Sequence, residues 1–298
     1  MKKTNTEIVT IERPFDVDGR CMDCLFKSFE RLIQKYNLSY DDRQEFFSYF
    51  NLIVARCGSR PMPDVQRELS YKFREISGVA DPYLDEKSES NQQALGLYKK
   101  WRMKVLESVD SFDAALRLSI AGNIMDYGPS AVFNVEQTIE QVMKANFAID
   151  ASETLKQRIK DAKSILFLGD NAGEIVFDKL FIEMLMHPHL TYAVRGGAML
   201  NDATLTDTKE VGMDWVADVI TNGYDASSTL LDHCSEAFLK EYRNADLIIS
   251  KGQGNLEGLI QENDPRIFFL LMVKCDVMAE QLKVEKGSFV VFNQQVDS

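Results

Sequence analysis

The spacing of apolar residues gives the chain two textures. From Met22 the apolar positions are Met22, Leu25, Phe26, Phe29, Leu32, Ile33 and Tyr36, the i, i+3, i+4, i+7 stripe of an amphipathic helix. The same period recurs over Phe46–Val54, Leu69–Ile76, Ala94–Val109, Phe112–Met125 and Val135–Phe147, and Pro61, Pro63, Pro82 and Pro129 punctuate the intervals. Asp81–Gln93 is polar and charged, so its composition predicts a loop. Residues 1–153 therefore read as an N-terminal all-helical domain, a bundle or cap.

Beyond about Thr154, short β-rich runs alternate with helical ones. Strands are expected at Ser164–Leu168, Thr191–Val194, Val219–Thr221, Leu247–Ser250, Ile267–Val273 and Ser288–Phe292. Helices are expected at Glu174–Met186, Ala203–Val211, Ser228–Arg243 and in a short segment after Leu256. Such alternation implies an α/β fold with a mostly parallel sheet, right-handed crossovers and helices on both faces. Residues 154–298 thus read as a Rossmann-like α/β domain.

Open α/β sheets bind ligands beyond the carboxyl ends of their strands. After ILFL comes Gly169-Asp170-Asn171-Ala172-Gly173-Glu174, and after TYAV comes Arg195-Gly196-Gly197, leading to Asn201-Asp202. The strand VIT ends in Asn222-Gly223 with Asp225 close behind, and LIIS ends in Lys251-Gly252-Gln253-Gly254-Asn255. Asp170, Asn171 and Asp202 are hard oxygen donors of the kind that suits Mg²⁺, Mn²⁺ or a similar divalent cation. The glycines, Gly173 among them, let backbone N–H groups approach an anion, and Arg195 and Lys251 can neutralise a phosphate's charge. A metal with open positions beside an anion cradle describes phosphoryl chemistry.

Each piece has a plainer reading. Asn171 with Glu174 fits a capping box, and Asn201 or Asp202 fits an ordinary N-cap. Their joint occurrence at successive strand ends favours a site. Neither GxxxxGK[ST] nor a GxGxxG after the first strand of this half occurs, which counts against classical nucleotide binding. Cys21-Met22-Asp23-Cys24 puts two thiols on one helical face, as half of a zinc or redox site or as buried thiols. His187 and His189 read as dipole partners at a helix end, and His233 as structural.

With 34 Lys and Arg against 46 Asp and Glu, the 298-residue chain carries a formal charge of -12, which argues against a nucleic-acid partner. Its longest apolar run, Ile267–Val273, is too short to cross a bilayer, and the N-terminus lacks an apolar signal region. Five cysteines, an odd number in a chain with no export signal, then read as reduced thiols of a cytoplasmic protein.

With these residues assembled, the chain resembles the damage-control phosphatase (domain of unknown function 89, ARMT-like) family, in its bacterial and archaeal CxxC-containing subgroup. The matching stretches are CMDC at Cys21–Cys24, AGNIMDYG at Ala121–Gly128, FLGDNAGEIVFDKL at Phe167–Leu180, VRGGAMLNDAT at Val194–Thr204, VITNG at Val219–Gly223 and ISKGQGN at Ile249–Asn255. The resemblance implies a helical domain packed on a Rossmann-like one, and a divalent metal (Mg²⁺, Mn²⁺, Co²⁺ or Ni²⁺) held by Asp170, Asn171 and Asp202. It places Asn123, Asp126, Glu174, Arg195 and Lys251 near the bound phosphate. It implies hydrolysis of phosphate monoesters of damaged or surplus metabolites, including sugar phosphates and pantetheine phosphates. The attacker is then a metal-activated water or the Asp170 carboxylate. Competing readings are an S-adenosylmethionine-dependent carboxyl methyltransferase and a non-catalytic phosphometabolite-binding protein. The loops Gly197–Leu200 and Gly223–Ser228 are expected to set specificity.

Overall fold

The computed structural model describes residues 18–58, 60–123 and 135–295. Among the described residues six helices come first: α1 (Gly19–Lys35), α2 (Tyr40–Arg56), α3 (Met62–Ser77), α4 (Leu84–Leu106), α5 (Ser111–Ala121) and α6 (Val135–Val142). Local chemistry sets their ends. The Asp18, Ser39 and Asp110 side chains accept the first free amides of α1, α2 and α5, and Gly78 ends α3 in the left-handed region. The apolar stripes of α1–α3 then close on each other around Phe29, Phe46 and Phe73. Burial of each such side chain contributes roughly 1.5–3 kcal/mol.

The loop expected over Asp81–Gln93 is instead mostly the first half of α4. Its buried positions Lys87 and Asn91 are polar, bonded to Asp81 (2.7 Å) and Asp207 (3.1 Å). An inward face built from polar pairs leaves no hydrophobic period to read.

After these come β1 (Ile149–Asp150), α7 (Ser152–Asp161), β2 (Ile165–Leu168), α8 (Glu174–Leu185), β3 (Leu190–Val194), α9 (Leu205–Val211) and β4 (Asp218–Thr221). They are followed by α10 (Glu236–Asn244), β5 (Leu247–Lys251), α11 (Gly252–Leu259), β6 (Ile267–Met272), α12 (Asp276–Leu282) and β7 (Phe289–Phe292). The helix expected from Ser228 begins only at Glu236, where the Ser235 hydroxyl caps it, and His233 lies in a 3₁₀ turn instead. β1, α7 and α12 were not foreseen; a two-residue strand has no alternation to detect.

The strands form a seven-stranded sheet in the order β1-β7-β6-β5-β2-β3-β4, parallel throughout except for β6 with β7. This is the expected α/β class. Alternation along the strands splits the core: Phe167 and Ile249 face α4, α5 and α8, while Leu166, Leu168 and Ile248 face α10, α11 and α12. From β2 the chain moves outward through β3 and β4, then returns to β5 on the other side. That reversal opens a crevice beyond the carboxyl ends of β2 and β5, where ligands bind in such sheets. Among the described residues no helix is long and apolar enough to cross a membrane.

Candidate active site

Two loops at this edge are stitched together by backbone bonds. The Ala203 N–H donates to the Asp170 carbonyl (2.7 Å), Ala172 N–H donates to Asn201 (2.9 Å), and Asn171 and Asp202 are bridge partners. Asp170, Asn171 and Asp202 therefore converge, all buried. The capping alternatives do not hold. Helix α9 is capped by Thr204 in a box with Asp207, and α8 has Gly173 at its N-cap and no side-chain cap.

Two cations divide the surrounding acids. Arg195, buried, donates to Asp202 (2.6 Å), Asp170 (3.2 Å), Asn255 (2.6 Å) and Thr229 (3.3 Å). Lys251, wholly buried, donates to Glu174 (2.7 Å), to Asp178 (2.5 Å) and to the carbonyl and hydroxyl of Ser119 (both 2.9 Å). The lysine is thus committed to carboxylates. Glu174 in turn accepts from Asn123 (2.7 Å) and Asn171 (3.1 Å), and Asn171 also donates to Asp170 (2.7 Å). Both donors of the Asn171 amide point at carboxylates, which turns its Oδ1 the other way.

The carboxyls are perturbed as this crowding requires. Burial, then the Glu174 and Asp202 charges, push the Asp170 carboxyl well above its ordinary range, against the pull of Arg195 and Lys274. Burial also raises Asp178, against Lys251. For Lys251, burial favours the neutral form, but Asp178 and Glu174 outweigh it and hold the pKa above the ordinary lysine value.

Backbone shape matters at two glycines. Gly252 has φ +78°, and a Cβ there would overlap the Asp170 carboxylate, so the KGQGN turn lies directly against it. Gly173 has φ +75°, and its N–H donates to Asn91 (2.6 Å) rather than to open space. Asn91, Asp178, Ser119, Tyr192, Thr229 and Lys274 were not foreseen as parts of the site. Asp178 follows Glu174 by one helical turn and was readable on that ground. Lys274 follows β6 as Lys251 ends β5, so the strand-end rule would have found it two residues past Met272. Asp126 lies outside the described residues.

No three His, Cys, Asp or Glu side chains among the described residues stand ready to hold a metal ion unaided. The donor set nevertheless fits a hard divalent cation: Asp170, Asn171 and Asp202 supply oxygens, and the buried Asn123 Oδ1 has no partner among the described residues. In this arrangement the Arg195 guanidinium spans the two aspartates. His187 makes no cluster; its ring nitrogens meet the carbonyls of His189 and Ala162.

The sequence profile of the damage-control phosphatase ARMT1-like domain matches residues 17–290. The chain belongs to this family. Among similar proteins, a damage-control phosphatase of Pyrococcus horikoshii is 31% identical over 280 residues, covering 92% of this chain and 96% of that one. A damage-control phosphatase of Archaeoglobus fulgidus is 32% identical over 245 residues, covering 80% and 85%. The crystal structure of a DUF89 family protein from P. horikoshii superposes with TM-score 0.86 at 30% identity, covering 94% of this chain and 99% of that one. Membership of the damage-control phosphatases supports a phosphatase role in metabolite repair and, in general, a divalent metal requirement.

Proposed function

We propose that the protein is a divalent-metal-dependent hydrolase of phosphate monoesters carried by small metabolites, with sugar phosphates and pantetheine phosphates as candidate substrates. One observation carries this reading. Among the described residues, Asp170, Glu174, Asp178 and Asp202 are buried around Arg195 and Lys251, so four acids face two cations. Fully ionised, these six buried groups carry two negative charges in excess, which the half-buried Lys274 offsets only in part; a dianionic phosphate would worsen the excess and a divalent cation would balance it.

Asp170, Asn171 and Asp202 would hold the ion. When bound, it supplies Lewis acidity toward a phosphoryl oxygen. The chain's own residues do the rest. Arg195 and Lys274 bring positive charge to the phosphate, and Asn123 Oδ1, without a partner among the described residues, can accept from a ligand donor. Glu174, anchored by Lys251, fixes the Asn171 and Asn123 amides.

The test is phosphate release from a panel of phosphorylated metabolites and a chromogenic phosphate ester, with chelator and with each of Mg²⁺, Mn²⁺, Co²⁺ and Ni²⁺. The expected result is metal-dependent release that falls at least about a hundredfold in Asp170→Ala and Asp202→Ala. Metal-assisted ligand binding without release would support a binding protein instead.

A further inference from the structure

Three of the five cysteines, two near the start of the sequence and one near its end, line one cavity of about 400 Å³. Cys21 and Cys24 come from the first turns of α1, and Cys275 is the residue that caps α12. All three are free thiols. The two helices are already joined beside the cavity, because Arg20 makes a two-pronged pair with Glu280 (2.7 and 2.8 Å). The Cys275 sulfur receives the Met278 N–H (3.4 Å) and the Gln253 side-chain amide (3.6 Å).

The cavity wall is continuous with the candidate site. Gln253 accepts the Lys274 N–H and directly follows Gly252, which rests on the Asp170 carboxylate. Lys274, next to Cys275, acts electrostatically on Asp170. A covalent change at Cys275 therefore bears on both neighbours of that carboxylate.

We propose that this cavity is an oxidative modification site in which Cys275 and Cys21 form a reversible disulfide on exposure to a hydroperoxide, lowering turnover at the adjoining site. The Cys275 sulfur attacks the peroxide, the O–O bond breaks, and an alcohol or water leaves as the sulfur becomes a sulfenic acid. The Cys21 sulfur then attacks the Cys275 sulfur, the S–S bond forms, and the hydroxyl leaves as water. The peroxide is reduced by two electrons and the thiol pair is oxidised by two. A small thiol reverses the bond by exchange.

The pairing follows from placement. Residues three apart in a helix hold their Cβ atoms about 5–6 Å apart, beyond the ~3.5–4.5 Å span of a disulfide, so Cys21 and Cys24 are poorly set to join. Cys275 also acts on Cys21 more strongly than Cys24 does, although Cys24 is one turn away. Burial, then the Glu257 carboxyl, push the Cys21 thiol up to about 11, which disfavours it as the first attacker; the resolving step then proceeds through its thiolate and speeds up as pH rises. A thiolate metal site is the poorer reading. The cavity far exceeds one ion, and among the described residues no three candidate ligands stand in metal-holding positions.

The test treats the full-length protein with hydrogen peroxide, alkylates the remaining thiols, and maps peptides by mass spectrometry. A Cys21–Cys275 cross-link that forms in wild type and Cys24→Ser, is absent from Cys21→Ser and Cys275→Ser, and disappears with dithiothreitol supports the proposal. Serine at Cys275 keeps a capping oxygen for α12. Turnover of a chromogenic phosphate ester with Mn²⁺ should fall at least about tenfold on oxidation and recover on reduction, in cross-linking variants only. That arm rests on the phosphatase reading; the cross-link does not. If the reduced protein releases no phosphate, Mn²⁺ affinity measured calorimetrically on the same samples takes its place. A Cys21–Cys24 bond, no bond at all, or a complete cross-link that leaves both readouts unchanged overturns the proposal.

Discussion

Replacing Lys251 with methionine is the sharpest perturbation of the buried charge network. The substitution keeps most of the side chain and deletes the ammonium that Glu174 and Asp178 share, leaving both carboxylates wholly buried. Breaking a buried pair in this way costs about 3–5 kcal/mol, or roughly two to four powers of ten in the folding constant. For a large domain this corresponds to a fall in Tm of roughly 6–20 °C. Urea unfolding in chelator, followed by circular dichroism, measures it. Because the two acids hold the Lys251 pKa above its ordinary value of 10.5, the contribution is fully present below pH 10.5 and is lost only as pH rises through the higher folded value. Adding Asp178→Asn should recover about 1 kcal/mol or more by removing one stranded charge. A loss under about 1 kcal/mol for Lys251→Met, with weakened phosphate binding as its main effect, would refute the reasoning and return the lysine to a substrate-facing role.

Gly252→Ala forces a side chain into the Asp170 carboxylate from a left-handed backbone, so turnover should drop at least about a hundredfold, while Gly287→Ala, equally left-handed but with open space for the added methyl, leaves turnover near wild type. Asn91→Leu strands the Gly173 N–H and should cost about 1–3 kcal/mol in the same unfolding assay. The Asp170 pKa is raised on folding, so in chelator its contribution to stability is largest at low pH and declines as pH climbs from the ordinary Asp value of 3.8 through the folded value. A divalent cation should therefore raise Tm more at about pH 8 than at about pH 5, and equal shifts would show that Asp170 does not take part.

The sheet was legible because strands β2 to β7 are short apolar runs bounded by glycine, asparagine and aspartate, and the strand-end rule led directly to Asp170, Asn171, Asp202, Arg195 and Lys251. Polar burial was not legible. Lys87 and Asn91 made α4 resemble a loop, because each is paid for by a partner more than a hundred residues away or across a turn. The same blindness hid Ser119 and Tyr192, whose roles exist only once α5 and β3 meet Asp178 of α8. Lys251 was found by position, but its commitment to Glu174 and Asp178 depends on burial that no local pattern encodes.

Calorimetric titration of chelator-stripped protein with Mn²⁺ tests the central claim most directly. The account predicts one ion bound per chain at Asp170, Asn171 and Asp202, with proton release near neutral pH, and no such binding in Asp170→Asn with Asp202→Asn. Absence of binding in the wild type, or unchanged binding in that double variant, would contradict it.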